Sequence, residues 1–442
     1  MERELIIESL REQNPWWIYP EMIENDEKVQ EALSKNKKLI YSFSDASNTL
    51  IFGPRQVGKT TYFKLLIYDL IINKKENPKK IAYFSCDILK DYQDILEMIR
   101  TIKLITPENR YIFLDEISFV EEWQRAVKYM LDSGIIRNKV VYITGSSSIN
   151  LRKESFPGRD IKIREFMPLS FRDFCLLFGS QNLKTHLENM RFEFKDLAEI
   201  SEKVRKLLPF QDELDYLFLN FLECGGFPKA FYEHMENDGI KNSTYETYWK
   251  WIIYDIAKIG KSEKIVNGVL RGILKNYGCK FSLNSIAKET EIGSHTTVRE
   301  YMEILEDLYI IRNFHHYDIF RGTIVHRKMR KAYFVDPFLY HVVQRMIFGI
   351  HRPEYPAIVE GIVAETLTRR FGKNRTGFYY GKKEIDVCFG DFGIEVKWQE
   401  KVDARDFPKI DMRNKIILSK RTFDFYGDGV LIIPVSMFLA LI

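Results

Sequence analysis

Short apolar runs alternate with longer stretches of helical spacing over the first 175 residues. Thr49–Phe52, Lys80–Cys86, Tyr111–Leu114 and Val140–Thr144 have the length and composition of buried strands. Between them, Thr60–Asn73, Tyr92–Leu104 and Trp123–Asp132 predict helices. Buried strands alternating with helices predict a parallel sheet covered on both faces. Ahead of this sheet, residues 2–12 and 21–36 predict polar helices around Asn14-Pro15-Trp16-Trp17. The paired tryptophans there predict a plug that packs on a larger body.

The pattern then changes twice. Residues 180–250 are charged and mostly helical, broken by a turn at Gly225-Gly226-Phe227-Pro228 that reads as a tight helix–helix connection. Residues 265–335 give short helices and then two strand-like runs, Tyr309–Phe314 and Ala332–Val335. The last section predicts a helix at Val359–Phe371 and strands at Gly377–Tyr380, Ile385–Phe389 and Gly393–Lys397. A length of 442 residues suggests about three domains. The pattern itself divides the chain at 1–180, 181–264, 265–345 and 346–442.

The first strand runs straight into Gly53-Pro54-Arg55-Gln56-Val57-Gly58-Lys59-Thr60, followed by Thr61. This fits G-x-x-x-x-G-K-[ST] in full, with a strand before it and a helix after it. Glycines let the backbone wrap a phosphate chain, and loop amides and the helix N-terminus point positive dipole at it. Lys59 is placed to reach the β- and γ-phosphates and Thr60 to supply an oxygen to Mg2+. About 55 residues downstream, the strand Tyr111–Leu114 ends in Asp115-Glu116. Asp115 suits Mg2+ and Glu116 suits the polarising of an attacking water. The alternative is a carboxylate pair that only caps the next helix. Thr144-Gly145-Ser146-Ser147-Ser148 ends the next strand and offers either a hydroxyl to the γ-phosphate or a Ser-rich turn. Arg159, after Gly158, is either an arginine finger for a neighbouring subunit or a solvated surface residue.

With Pro168-Leu169-Ser170-Phe171 and Tyr333-Phe334-Val335-Asp336-Pro337 added, these motifs resemble a family covering nearly the whole chain. It comprises archaeal and bacterial AAA+-type ATPases with a nuclease-like C-terminal domain, of the type labelled DUF4143. The resemblance implies a P-loop NTPase sheet, then a helical and winged-helix region, then a restriction-endonuclease-like α/β domain. It implies ATP as the nucleotide and ATP hydrolysis as the activity, with the coupled task open.

Leu283, Ile286 and Ala287 form one apolar helix face, Ile292-Gly293-Ser294 a turn, and His295–Leu305 a second helix. This is a helix-turn-helix pattern. Arg321, Arg327, Lys328, Arg330 and Lys331 then read as a basic wing between two strands. Thr296, Thr297 and Arg299 would face a DNA groove and the wing its phosphates. The alternative is a module for protein contacts.

Asp386 and, nine residues on, Glu395-Val396-Lys397 resemble the PD-(D/E)xK nuclease pattern across adjacent strands. Asp386 and Glu395 would hold Mg2+ or Mn2+, and Lys397, on the Glu395 face of its strand, would orient a water. Glu360 fits the pattern's upstream helical carboxylate better than Glu365, five positions on. Such a fold can keep or lose its chemistry.

A net charge of +4 excludes charge-only binding of nucleic acid but leaves room for a local basic patch. Cys86, Cys175, Cys224, Cys279 and Cys388 lack metal-ligand spacing and read as buried free thiols in a reducing cytoplasm. No 18-residue apolar run predicts a membrane span. Two function classes stand: an ATP-driven machine that binds or processes DNA, assembling as a homo-oligomer if a ring forms, and a nucleotide-dependent assembly switch that cleaves nothing.

Overall fold

A computed structural model describes residues 3–35, 47–146, 156–191, 193–237, 239–290, 292–426 and 429–442. It contains two compact units, Met1–Met167 and Pro168–Ile442.

The first unit is built on five parallel strands. These are β1 (Thr49–Phe52), β2 (Ile81–Ser85), β3 (Tyr111–Asp115), β4 (Val140–Gly145) and β5 (Lys162–Glu165), in the order β2-β3-β4-β1-β5. The four predicted strands are the four with buried residues, because strands covered on both faces are apolar throughout. β5 was not foreseen: as a largely exposed edge strand, Lys-Ile-Arg-Glu carries no apolar run. Phe113 stacks on Tyr142 at 4.9 Å and packs edge-on against Phe63 at 5.2 Å, tying β3 and β4 to the helix that follows β1. The register sets Phe52 beside Gly145 and Leu114 beside Ile143, so the carboxyl ends of β1, β3 and β4 lie side by side.

The N-terminal plug is an edge cover for β2. The Asn14 amide accepts from the Tyr83 N–H (2.6 Å) and donates to the Tyr83 carbonyl (2.8 Å). Trp16 and Trp17 both donate their indole N–H to the Ile81 carbonyl. A single side-chain amide thus stands in for a neighbouring strand. Residues 21–35 are not one helix, and residue 36 lies outside the described residues: a 3-10 turn at Pro20–Ile23 gives way to a helix at Glu27–Ser34, because Asp26 caps a new start by accepting from the Lys28 and Val29 amides.

The second unit opens with helices from Phe171–Phe178 to Glu263–Lys275 and reaches the helix pair Leu283–Glu289 and His295–Asp307. An eight-stranded sheet follows, made of β6 (Ile311–Asp318), β7 (Thr323–Phe334), β8 (Gly377–Tyr380), β9 (Glu384–Phe389), β10 (Phe392–Val396), β11 (Asn414–Ser419), β12 (Asp424–Tyr426) and β13 (Val430–Pro434). Its order is β12-β13-β11-β10-β9-β8-β6-β7. The β6–β7 hairpin therefore shares one sheet with the C-terminal strands.

The expected basic wing is corrected here. Arg327, Lys328, Arg330 and Lys331 lie within β7, and only Arg321 sits in the connecting turn. Burial splits the basic run along the strand: Arg327 and Lys328 lie in the exposed first half of β7, Arg330 and Lys331 in its buried second half. Tyr309 is not in a strand either. It takes a left-handed backbone (φ 58) in the turn that ends the preceding helix. Of the cysteines, four are buried and Cys279 is exposed.

Gly225-Gly226 is a tight connection between helices Gln211–Cys224 and Pro228–Asn237. A Cβ on Gly225 would lie 1.9 Å from Asp336 Oδ1, and the Gly226 N–H donates to Asp336 Oδ2 at 2.8 Å. Asp336 also caps the helix Pro337–Phe348 through the Phe338 N–H. Two motifs 110 residues apart thus meet in one contact.

Replacing Asn14 by Ala strips partners from both backbone groups of Tyr83. With about 1–3 kcal/mol for each buried group left unsatisfied, a loss of about 2 kcal/mol or more is expected. Thermal unfolding of the first unit, followed by calorimetry, should shift down by about 4–8 °C.

Candidate functional site

The loop after β1 is shaped by close backbone approach. A Cβ on Gly53 would fall 1.9 Å from the Phe166 carbonyl oxygen, so only glycine fits. Gln56 and Gly58 both adopt left-handed backbone, at φ 62 and 100. Such a conformation at a non-glycine residue costs of order 1–3 kcal/mol and collects at ligand-binding loops. Pro54 and Val57 are buried, Arg55 half-buried and Gln56 exposed. Helix Lys59–Tyr68 starts directly from the loop, with Thr60 and Thr61 in its first turn. Lys59 is buried, and its ammonium donates to the carbonyls of Gly53 (2.8 Å) and Pro54 (2.7 Å). The cation therefore lies inside the curl of the loop.

The paired acids stand at the same end of the sheet, at the close of β3. Asp115 is only 2% exposed. Tyr83 donates its hydroxyl to Asp115 Oδ2 at 2.9 Å, Thr144 donates to Oδ1, and the Thr60 hydroxyl is also bonded to this carboxylate. Burial, and then the charge of Glu116, push the Asp115 carboxyl above its ordinary range, against these hydroxyl bonds. Thr144 Oγ1 also accepts the Glu116 N–H at 3.0 Å. Glu116 takes φ 55, which turns its side chain away from the strand, and Ser146 Oγ lies 2.7 Å from both of its carboxylate oxygens. Glu116 makes no side-chain cap to the short helix that follows. The capping alternative thus has no hydrogen bond behind it. Thr144, near the end of β4, thus engages Asp115, and Ser146, just after it, engages Glu116; Ser147 and Ser148 lie outside the described residues. A buried carboxylate beside the Thr60 hydroxyl is a set of hard oxygen donors that fits Mg2+.

Arg159 is held by its own chain: Nε and Nη2 donate to the two Asp132 oxygens at 2.8 and 2.6 Å. This bidentate grip must open before Arg159 can reach another subunit.

In the second unit, Glu360, Asp386 and Glu395 are brought to one place by helix Tyr355–Phe371 and strands β9 and β10. Lys331 from β7 joins them. Its ammonium lies 2.6 Å from Glu360, 2.7 Å from Glu384 and 3.5 Å from Asp386. Burial opposes the Lys331 charge, but Glu360, Asp386 and Glu384 outweigh it and push its pKa up. Tyr333 donates its hydroxyl to Glu360. Burial and the Asp386 charge push Glu360 up to about 7, and the same two causes push Glu395 up to about 7. Lys397 donates to Glu395 Oε1 at 2.6 Å, while Oε2 is buried without a hydrogen-bond partner. Asp386 Oδ2 accepts the Val396 N–H. Glu365 is bound to Arg312 (2.8 Å) and Arg369 (3.0 Å) instead, in a separate ion pair. Donor type suits a hard divalent cation. Even so, the oxygens of Glu360, Asp386 and Glu395 do not all come within 4.8 Å of one another. Sequence reasoning missed Lys331 and Glu384 in this cluster, because the pairing of β7 with the C-terminal sheet is not visible in spacing.

Among the proposed DNA contacts, Thr296 and Arg299 are exposed on helix His295–Asp307 and Thr297 is half-buried. Arg321 and Arg327 are exposed, and Lys328 is exposed with its ammonium 3.0 Å from His316 Nε2. Arg330 is buried, so its guanidinium is not presented to a phosphate; burial and then Arg299 lower its pKa from the usual arginine range.

Residues 45–175 match a family model described as an AAA domain, and residues 216–348 match one described as a domain of unknown function, DUF8612. The second match ends before Glu360, so neither covers the C-terminal carboxylates. An uncharacterized protein of Methanocaldococcus jannaschii is 28% identical over 84% of this chain and 78% of its own length. An uncharacterized protein of Haemophilus influenzae is 27% identical over 73% and 74%. The solved structure of C. elegans PCH-2 aligns at 16% identity over 52% of this chain and 64% of that one, with a TM-score of 0.26. So low a score carries no architectural conclusion. The family match and the loop together make residues 45–175 a P-loop AAA-type nucleotide-binding domain. Among the described residues, no helix is long and apolar enough to cross a membrane.

Thr144→Val removes one hydroxyl that serves Asp115 and the Glu116 N–H together. The expected cost is about 2 kcal/mol in urea unfolding of the first unit. Thr144→Ser, which keeps the hydroxyl, should lose less than half as much.

Proposed function

We propose that this chain hydrolyses ATP at the Lys59–Glu116 site and couples that turnover to the binding or processing of DNA. The observation that carries the first half is the placement of Glu116. It is turned out of β3 by its left-handed backbone and held by Ser146, at the same sheet end as the phosphate loop. There a carboxylate can accept a proton from a water that attacks the γ-phosphate. Lys59 gives up the Gly53 and Pro54 carbonyls for phosphate oxygens, and the loop amides and the helix N-terminus bind the rest of the chain. Mg2+, when bound, would neutralise β- and γ-phosphate charge, and Thr60 and Asp115 are the residues to hold it. Arg159 is the residue of this chain to serve a neighbouring subunit in a homo-oligomer.

The DNA half rests on Thr296, Thr297 and Arg299 of the second helix in a helix-turn-helix, with Arg321, Arg327 and Lys328 nearby in sequence on the hairpin that follows. Asp386, Glu395 and Glu360, whose charges act on one another, have the donor types for Mg2+ or Mn2+ in a restriction-endonuclease-like site, and Lys397 is bonded to Glu395. One specific observation favours the second reading, a nucleotide-dependent switch with an inactive nuclease-like domain. Lys331 already supplies a positive charge between Glu360, Glu384 and Asp386.

Lys59→Ala should lower ATP turnover by about 100-fold or more, measured as phosphate release. Wild-type turnover should change when linear or branched DNA is added. Turnover indifferent to every DNA form would remove the coupling. A metal-dependent nicking assay separates the two readings: cleavage lost in both Asp386→Asn and Lys397→Ala supports a nuclease, and no cleavage by wild type supports the switch.

A further inference from the structure

Outside both acidic clusters, the second unit brings together Glu223, His341 and His351. Glu223 is the penultimate residue of helix Gln211–Cys224, and His341 lies in helix Pro337–Phe348. His351 lies just past Gly349, whose left-handed backbone (φ 65) ends that helix and reverses the chain. One ligand atom from each residue lies within 4.8 Å of the others, the only such set of His, Cys, Asp and Glu among the described residues.

Each of the three is fixed from behind. His341 is fully buried, and its Nε2 bonds the Leu222 carbonyl at 2.8 Å. A carbonyl only accepts, so Nε2 carries the proton. Burial keeps the ring neutral, pushing it down to about 4. Nδ1 is then a bare lone pair, and it has no hydrogen-bond partner. Glu223 Oε1 accepts the Tyr355 hydroxyl, which leaves Oε2 facing His351 Nε2 at 3.8 Å. The segment carrying His351 is clamped by a double hydrogen bond: Gln344 donates to the Arg352 carbonyl at 2.8 Å and accepts the Arg352 N–H at 3.0 Å. The two imidazole rings stand 5.1 Å apart between centroids.

A ligating histidine characteristically gives its other ring N–H to a carbonyl, and a ligating carboxylate is itself hydrogen-bonded. Both features are present here. Around a metal with bonds of about 2.1 Å, tetrahedral ligand atoms stand about 3.4 Å apart. The Glu223–His351 separation is close to that, and His351, being exposed, can move the remainder. Arg345 is the opposing charge nearby. Its guanidinium lies over the Tyr245 ring, with Nη1 3.5 Å from Asn242 Oδ1. We propose that Glu223, His341 and His351 form a site for a borderline divalent transition metal, Zn2+ by ligand type, with a fourth position left to solvent or a partner.

The test uses the full-length protein, stripped with chelator and free of nucleotide. Zn2+ binding is measured by calorimetry, and Co2+ is used as a probe of visible absorption. Wild type and Asp386→Asn should each take up Zn2+ at this site and give a tetrahedral Co2+ spectrum. His351→Ala and Glu223→Gln, checked for native circular dichroism, should bind at least tenfold more weakly and lose that spectrum. Zn2+ uptake and Co2+ absorption unchanged in the two folded variants, or absent from wild type, would overturn the proposal. Should Glu223→Gln fail to fold, the exposed His351→Ala still decides.

Discussion

A carboxylate removed from water has to be compensated, and the compensation of Asp115 sets the geometry around the phosphate loop. Three hydroxyls meet it, from β2, from β4 and from the first turn of the helix after the loop. Because Thr144 also accepts the Glu116 N–H, the same hydroxyl fixes where the second acid leaves the strand. Hydroxyl bonds leave the burial cost only partly answered, and the carboxyl stays shifted upward. A site so arranged gains from a divalent cation.

The second unit answers the same cost differently. Glu360, Glu384 and Asp386 are met by a buried ammonium from β7, Lys331. Removing one member of a buried ionic cluster strands the others, so the hairpin and the C-terminal strands are locked to each other electrostatically as well as by sheet pairing. Whatever chemistry the carboxylates carry, Lys331 is part of their charge balance. The unpartnered Glu395 Oε2 lies outside that balance.

The strands and helices of the first unit were legible because doubly covered strands are apolar runs and because the loop motif carries its own flanks. Asp115-Glu116 was legible from its place at a strand end. The Thr144 and Ser146 hydroxyls were visible only as candidates for the γ-phosphate or a turn, and Tyr83 was not visible at all, since Tyr83 and Asp115 are 32 residues apart and nothing local links them. The wing was misread because β7 mixes basic residues into a strand, and the change from exposed to buried along it depends on partners far along the chain. Asn14 was seen as part of a plug, but its role as a substitute strand needs the β2 edge to be known. Glu223, His341 and His351 had no spacing signal, because three separate segments supply them.

The structure that would bear most directly on the whole is one with a non-hydrolysable ATP analogue and Mg2+. Lys59 Nζ now lies 2.8 and 2.7 Å from the Gly53 and Pro54 carbonyls. The expected result is that it leaves them for a phosphate oxygen, with Thr60 and Asp115 facing the cation. An analogue bound elsewhere, with Lys59 still on its two carbonyls, would contradict the central claim.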